Sequence, residues 1–331
     1  MINFKKIAII DVYSLLYRAF FAIPLLSVNN IPVNAIYGFI RILLKMYKEF
    51  NIDYLVSCVD KGRSGRNIFY QEYKSKRTPS TDLFKQQIPI IYEFYKLSNL
   101  RLIYKEGFEA DDVINTIIHK FVNQRINETN FIFVISGDTD LLQLINKNVF
   151  IIILKKGITD YVLFDKQKFY KEYEFDSNYY LLYKILVGDN SDNVKGIPGI
   201  GPKKAKMFIK NISNHFFKQP FEFNEENLNT ISSFLLDSFK LNIDSEKLKE
   251  TLKLNYNLLK LKFINDLEEF NLEELYIKDK FINNGFIDFL KKYNFKSILQ
   301  EIQTEFNLNY SNNNNYSNNN EKKQLKLFKL F

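Results

Sequence analysis

The chain has 331 residues, 46% of them hydrophobic, which suffices for a sizeable core in one large domain or two close ones. A single cysteine, Cys58, excludes an intramolecular disulfide, and one cysteine with two histidines supplies too few soft ligands for a structural zinc site. No uncharged run is long enough to cross a bilayer, no secretory cleavage site follows the start, and the formal charge of +8 favours polyanionic partners; a monomeric cytoplasmic protein is expected.

In chain order, KIAIID (residues 6–11) reads as a buried strand ending in an acid, and Cys58 falls in a second, DYLVSCVD (53–60), as buried filler. FIFVISGDTD (131–140) is a third. Helical patterns lie between them in NAIYGFIRILLKMYKEF (34–50) and ADDVINTIIHKFVNQ (110–124). Strands alternating with helices predict an α/β fold, a mostly parallel central sheet with helices on both faces. In such sheets ligands gather beyond the carboxyl ends of the strands, where Asp11, Asp60 and Asp138 each follow a strand. Residues 61–85 interrupt the order with many Lys and Arg and few aliphatics, and read as an exposed basic segment over the sheet edge. Residues 181–209 carry two glycine-bearing turns between helical patterns, and 210–300 read as further helix. From about residue 307 the chain is Asn-rich and too polar to bury a core, as expected of a flexible tail.

The acids form a larger set: Asp11, Asp60, Glu109, Asp111, Asp112, Asp138, Asp140, Asp189 and Asp192. Glu109 and Asp112 are three apart at a helical start, as are Asp189 and Asp192 further on. Each alone could cap a helix or open a turn. Together in one crevice they would repel one another without countercharge, and hard divalent cations such as Mg²⁺ or Mn²⁺, which prefer oxygen ligands, resolve this. A basic chain that concentrates its acids in one place points to metal acting on phosphate, with two ions clamping a scissile group. Lys74 and Arg77, three apart, and Arg66 are candidates to grip that phosphate, and Tyr73 to stack on a base; a solvated surface patch is the plain alternative. GIPGIGPKKA (196–205) offers Gly196, Gly199 and Gly201 for close backbone approach to a phosphate, with Lys203 and Lys204 adding charge; an ordinary tight turn is the alternative. Pro202 follows the last glycine where an ATP-binding Walker loop needs Lys.

AIIDVYSLLYRAFFA, IPVNAIYGF, YKSKRTP, GFEADDVI, ISGDTDLLQLI and LVGDNSDNVKGIPGIGPKKA, in this order, resemble the 5′–3′ exonuclease domain of bacterial DNA polymerase I and its stand-alone relatives, the flap endonuclease family. The likeness covers roughly residues 1–300. It implies a nuclease core over 1–180 with a helical arch over 61–100, then a helix-hairpin-helix and helical region over 181–306, and the tail over 307–331. It further implies Asp11, Asp60, Glu109 and Asp111 as ligands of a first Mg²⁺, and Asp111, Asp138, Asp140 and Asp189 as the second group. Asp112 and Asp192 would stand behind the ligands or act through water, Lys74 and Arg77 would be the basic pair of the arch with Arg66 a further arginine of the family pattern, and a K⁺ ion would sit at the hairpin. Two departures stand out: the loop after Asp60 is one residue short, and Lys204 stands where Thr is usual.

The implied substrates are branched or 5′-ended duplex DNA in primer removal and repair, with polymerase and ligase supplied by other proteins and a nucleoid location. The last residues, QLKLFKLF, place Gln324, Leu325, Leu327 and Phe328 in the order Q-L-x-L-F, similar to peptides that hold the bacterial sliding clamp. Two other functions were weighed: a ribonuclease of the related acidic α/β class, and a junction-binding protein without catalysis. The long basic segment and glycine hairpin argue against the first, and the acidic set, which would weaken DNA binding without metal, against the second.

Overall fold

A computed structural model describes residues 5–123, 130–215, 223–278 and 280–305. Strand β1 (Lys5–Asp11) leads into α1 (Val12–Ala22), a small hairpin of β2 (Ser27–Val28) and β3 (Ile31–Pro32), and α2 (Asn34–Phe50). β4 (Tyr54–Cys58) is followed by short helices α3 (Gly65–Phe69) and α4 (Asp82–Lys85), then α5 (Ile88–Ser98) and β5 (Leu102–Ile103). α6 (Ala110–Asn123), β6 (Asn130–Ser136), β7 (Val149–Leu154), β8 (Tyr161–Phe164) and α7 (Lys166–Tyr173) complete the first half. α8 (Tyr180–Val187), the hairpin β9 (Gly188–Asp189) and β10 (Val194–Lys195), and α9 (Pro202–His215) follow. α10 (Glu225–Phe239), α11 (Ser245–Leu259), α12 (Asn284–Lys292) and α13 (Lys296–Glu305) end the described chain.

Among the described residues the central sheet runs β5-β4-β1-β6-β7-β8, parallel except for β8. The expected fold class is therefore present. The strands are runs of aliphatic and aromatic residues because both sheet faces are covered. Ile7, Ile9, Val134 and Ile151 face one core, shared with Ile114 of α6, Leu182 of α8, Phe208 of α9, Leu235 of α10 and Leu252 of α11. Ala8, Ile10, Ile135 and Ile152 face the other, shared with Leu16 of α1, Phe39 of α2, Phe94 of α5, Phe289 of α12 and Ile298 of α13. Each such fully buried aliphatic or aromatic side chain contributes roughly 1.5–3 kcal/mol. The helices after residue 180 are thus divided between the same two cores as the sheet. Cys58 is a buried free thiol, as expected of filler.

Two features position the site. The strand order reverses around β1, which opens a crevice at the carboxyl edge. The hairpin after α8 is set by Gly188, at φ +73°, and by Gly196, where a Cβ would lie 2.4 Å from the carbonyl carbon and oxygen of Val187. Gly201, by contrast, has nothing within 4 Å of such a Cβ. Gly196→Ala should therefore destabilise the fold by about 1–3 kcal/mol through overpacking, while Gly201→Ala should stay within about 0.5 kcal/mol. Urea unfolding monitored by circular dichroism distinguishes them; equal midpoints would show that the contact at Gly196 relaxes freely.

Candidate active site

Strand register brings the acids together. Asp11 pairs across β1 and β4 with Cys58, and Ile10 pairs across β1 and β6 with Ile135. Asp60 and Asp138 thus each emerge two residues beyond a position level with Asp11. From β5 the chain returns through bridges of Lys61 with Glu106 and Phe108, so that α6 starts at this same edge. Each strand-end acid also caps an element. Ser14 N–H donates to Asp11 at 3.3 Å, Ala110 N–H to Asp60 at 2.8 Å and Asp140 N–H to Asp138 at 2.8 Å. Capping and a place in the crevice thus coexist in one side chain, and Asp11 also accepts from the Ser136 hydroxyl at 2.5 Å.

An open cavity of about 670 Å³ lies over this edge. Asp11, Asp60, Glu109, Asp111 and Asp138 line it together with Lys74 and Arg77. The other four acids are brought near but are engaged elsewhere. Asp112 is buried and takes two hydrogen bonds from Arg66, at 2.6 and 2.8 Å, and one from Lys262 N–H at 2.7 Å. Asp192 takes Arg77 at 2.5 Å and the Tyr73 hydroxyl at 2.9 Å. Asp140 and Asp189 are both ion-paired with Lys184. Among the described residues no group of three or more acids, histidines or cysteines forms a ready-made metal cage.

The electrostatics follow from this division. Burial pushes Asp11 up to about 7 against a hydrogen bond from Ser136, with Asp60 and Asp138 adding to the rise. Burial and then Asp138 and Asp11 hold Asp111 well above the ordinary range. Asp138 is likewise raised, by burial first and in part against the Asp140 N–H. Glu109 moves the other way: burial raises it, but Lys74 at 2.8 Å and Arg66 at 3.5 Å outweigh burial and hold it below its ordinary value. Burial opposes the Lys74 ammonium, yet Glu109 and Asp192 keep it charged. Asp11, Asp111 and Asp138 are thus forced toward the neutral form, and burial with Asp138 raises Asp140 in the same direction, to about 7, even against Lys184.

Residues 61–85 depart from the expected exposed basic segment. Arg66 is only 3% exposed. Beyond Asp112 it donates to the carbonyls of Leu258 at 2.9 Å and Lys260 at 2.8 Å, which leaves no fork for a phosphate. A guanidinium needs so many partners because burial would otherwise leave it uncompensated. Tyr73 is also 3% exposed, with its hydroxyl on Asp192 and Glu109, so its ring cannot stack on an incoming base. Lys74 and Arg77 meet the acids from a run of turns, Lys74 at φ +56°, where a helix was expected to align them. α5, within the span read as an arch, buries Ile90, Ile91 and Phe94 in the core.

In the glycine loop, Lys203 and Lys204 are exposed at the start of α9, and Lys204 donates to the Gly199 carbonyl at 2.9 Å. The loop stands apart from the acidic cavity, which none of its residues lines. Gln324, Leu325, Leu327 and Phe328 lie outside the described residues.

Comparison with known proteins agrees with this architecture. Residues 6–174 match the family described as 5′-3′ exonuclease, N-terminal resolvase-like domain. The chain is 35% identical to the 5′-3′ exonuclease of Aquifex aeolicus over 305 residues, 91% of this chain and 96% of that one. This chain belongs to the 5′–3′ exonuclease family. It is also 36% identical to DNA polymerase I of Caldicellulosiruptor bescii, over 90% of its own length but only 33% of the polymerase's. Among solved structures, T5 5′-exonuclease with bound zinc superimposes with a TM-score of 0.56 at 20% identity, over 89% of this chain and 99% of that one. The catalytic core of Rad2 with DNA gives 0.53 at 17%, over 92% of each chain. At these identities the likeness is one of fold. Among the described residues no helix is long and apolar enough to cross a membrane.

Within this family member the sequence reading missed three parts of the site. One face of α1 supplies Ser14, Tyr17, Arg18 and Phe21 to the cavity wall, and the loop 155–157 supplies Lys155 and Lys156. The spacing i, i+3, i+4, i+7 from Ser14 was visible in the sequence. Lys184 sits on an apolar helix, and nothing local marks it as a partner of Asp140.

Two tests follow from the charges. Arg66→Met should cost about 3–5 kcal/mol, because it leaves Asp112 buried without its partner, and R66M combined with D112L should recover most of that in urea unfolding. If the double variant is as weak as the single, the carbonyls of Leu258 and Lys260 are what Arg66 serves. The second concerns pH in chelator. Asp11 and Asp140 have folded values raised from 3.8 to about 7. Such a group contributes stability that is complete below its unfolded value and is lost as pH rises through the folded one. Metal-free stability should therefore fall between about pH 4 and 7, and saturating Mg²⁺ should flatten the decline. Asp189, lowered to about 2, acts only below that window. A metal-free profile that rises across the window would contradict the assignment.

Proposed function

We propose that the chain is a structure-selective 5′ nuclease that hydrolyses DNA phosphodiesters at 5′ flaps, 5′ ends and RNA primers with divalent cations, Mg²⁺ first and Mn²⁺ as a substitute. One observation carries the reading: five acids from separate segments converge on a single open cavity beside Lys74 and Arg77, with Arg18, Lys155 and Lys156 also on its wall, in a 5′–3′ exonuclease family member. The donors fit such ions, being carboxylate oxygens that burial and one another force toward neutrality. The lack of a ready-made cage is compatible with Mg²⁺, which keeps several waters and takes one or two carboxylates together with phosphate oxygens.

Asp11, Asp60, Glu109 and Asp111 would hold one ion, and Asp111, Asp138, Asp140 and Asp189 a second. Bound there, such ions activate water and neutralise charge on the phosphate, leaving a 5′-phosphate and a 3′-hydroxyl. The chain's own groups do the rest. Lys74 and Arg77 sit over the acids with donors to spare, placed to take the scissile phosphate and offset its developing charge. Asp192 braces both cations, Arg77 at 2.5 Å and Lys74 at 3.8 Å, while Asp112 holds Arg66 beside Glu109. Gly199, Gly201, Lys203 and Lys204 would grip duplex backbone without reading bases. A K⁺ ion would sit at that loop.

With 5′-labelled double-flap DNA and Mg²⁺, the native chain should cut at or one nucleotide inside the junction. Asp138→Ala should abolish the cut, and Lys74→Ala should slow it by on the order of 10²–10³. Tight, salt-sensitive binding without any cleavage by the native chain would instead make this a structural junction binder.

A further inference from the structure

Lys184 lies in the last turn of α8, only 7% exposed, and its ammonium meets Asp140 at 2.5 Å and Asp189 at once. The three groups come from two separate segments. Asp140 follows β6, and Asp189 is folded back onto Lys184 by the left-handed turn at Gly188. The buried Asp140 Oδ1 has the Lys184 ammonium as its partner. Among the described residues the nearby acids Asp111 and Asp138 have no such cation of their own within ion-pairing distance.

We infer that Lys184 is a built-in counter-cation that keeps the second divalent ion from Asp140 and Asp189 until it is displaced; this rests on the cation reading of the site proposed above. An ammonium has three donors and no lone pair, so it cannot join a metal's ligand set. It also repels a divalent ion placed a few ångström away, strongly in so buried a setting. The two cations therefore compete for the same two carboxylates. At the first site, on Asp11, Asp60, Glu109 and Asp111, only Glu109 is ion-paired with cations of the chain, Lys74 and Arg66, among the described residues, whereas Lys184 holds two of the second site's four acids. The second ion should bind weakly to the free protein and gain when phosphate oxygens add negative charge. Lys184 is on this view a positioning residue, acting through Asp140 and Asp189.

Mn²⁺ binding to the metal-free full chain, followed by the paramagnetic resonance of free Mn²⁺, tests this. The native protein should bind one ion tightly and a second at least about tenfold more weakly. Lys184→Met should bring the second close to the first, and Lys184→Arg should keep the native gap. A second readout needs no variant: acetylation of Lys184 by an amine-reactive ester, scored by mass spectrometry, should rise several-fold at saturating Mn²⁺. An unchanged second affinity in K184M, or unchanged labelling on saturation, overturns the inference while leaving the metal nuclease standing if the first ion binds. Failure of either protein to bind any ion overturns both.

Discussion

Negative charge at the carboxyl edge of the sheet is the constraint that shapes everything around it. Parallel strands in register deliver Asp11, Asp60 and Asp138 to one place, and the return of α6 adds Glu109, Asp111 and Asp112. The protein has a net charge of +8, yet this edge is acidic. The chain answers with single cations sent from distant segments: Arg66, Lys74 and Arg77 from the crossing after β4, and Lys184 from α8. Each takes a particular acid out of the repulsion. Burial and mutual repulsion still push Asp11, Asp111 and Asp138 upward, and Asp140 as well despite Lys184.

The same cations tie the architecture together. Arg66 bridges α3, the first turn of α6 and the carbonyls at the end of α11, three stretches far apart in sequence. Asn255 does similar work with neutral groups, donating to the carbonyls of Ile185 and Lys195 at 2.8 Å and so fastening α11 to both sides of the β9–β10 hairpin. α11 is thereby fixed at one end to the acids of α6 and along its length to the segment carrying Asp189. A shift of the helices after residue 180 relative to the sheet would have to break buried charge-assisted bonds, which cost more to lose than neutral ones.

Much of this was legible in the sequence, for identifiable reasons. β1, β4 and β6 are apolar runs ending in acids, and α2 and α6 repeat at helical spacing, so both the layered fold and the edge with Asp11, Asp60, Glu109, Asp111 and Asp138 could be read. β7, VFIIIL, was equally apolar but ends without an acid and went unnoticed; β5 is two residues long and carries no pattern. Sequence spacing failed where a side chain's partner is remote. Arg66 looked exposed because its neighbours are polar, but its burial is decided by Asp112, Leu258 and Lys260. Tyr73 is buried for the same kind of reason, through Asp192 and Glu109.

These misreadings share a direction, and that direction bears on how the site works. Basic and aromatic residues near acids were assigned outward, toward a nucleic acid, whereas several turn inward onto the acids themselves. Of the arch cations only Lys74 and Arg77 line the cavity, and both are already engaged with Glu109 or Asp192. Lys155 and Lys156 on the cavity wall are exposed, but a phosphate reaching the acids would meet Lys74 and Arg77 as cations already held in place. Their side-chain freedom is spent in folding, so less ordering is left for the moment of binding. The cost is a site that holds its charges in tension without its ligands.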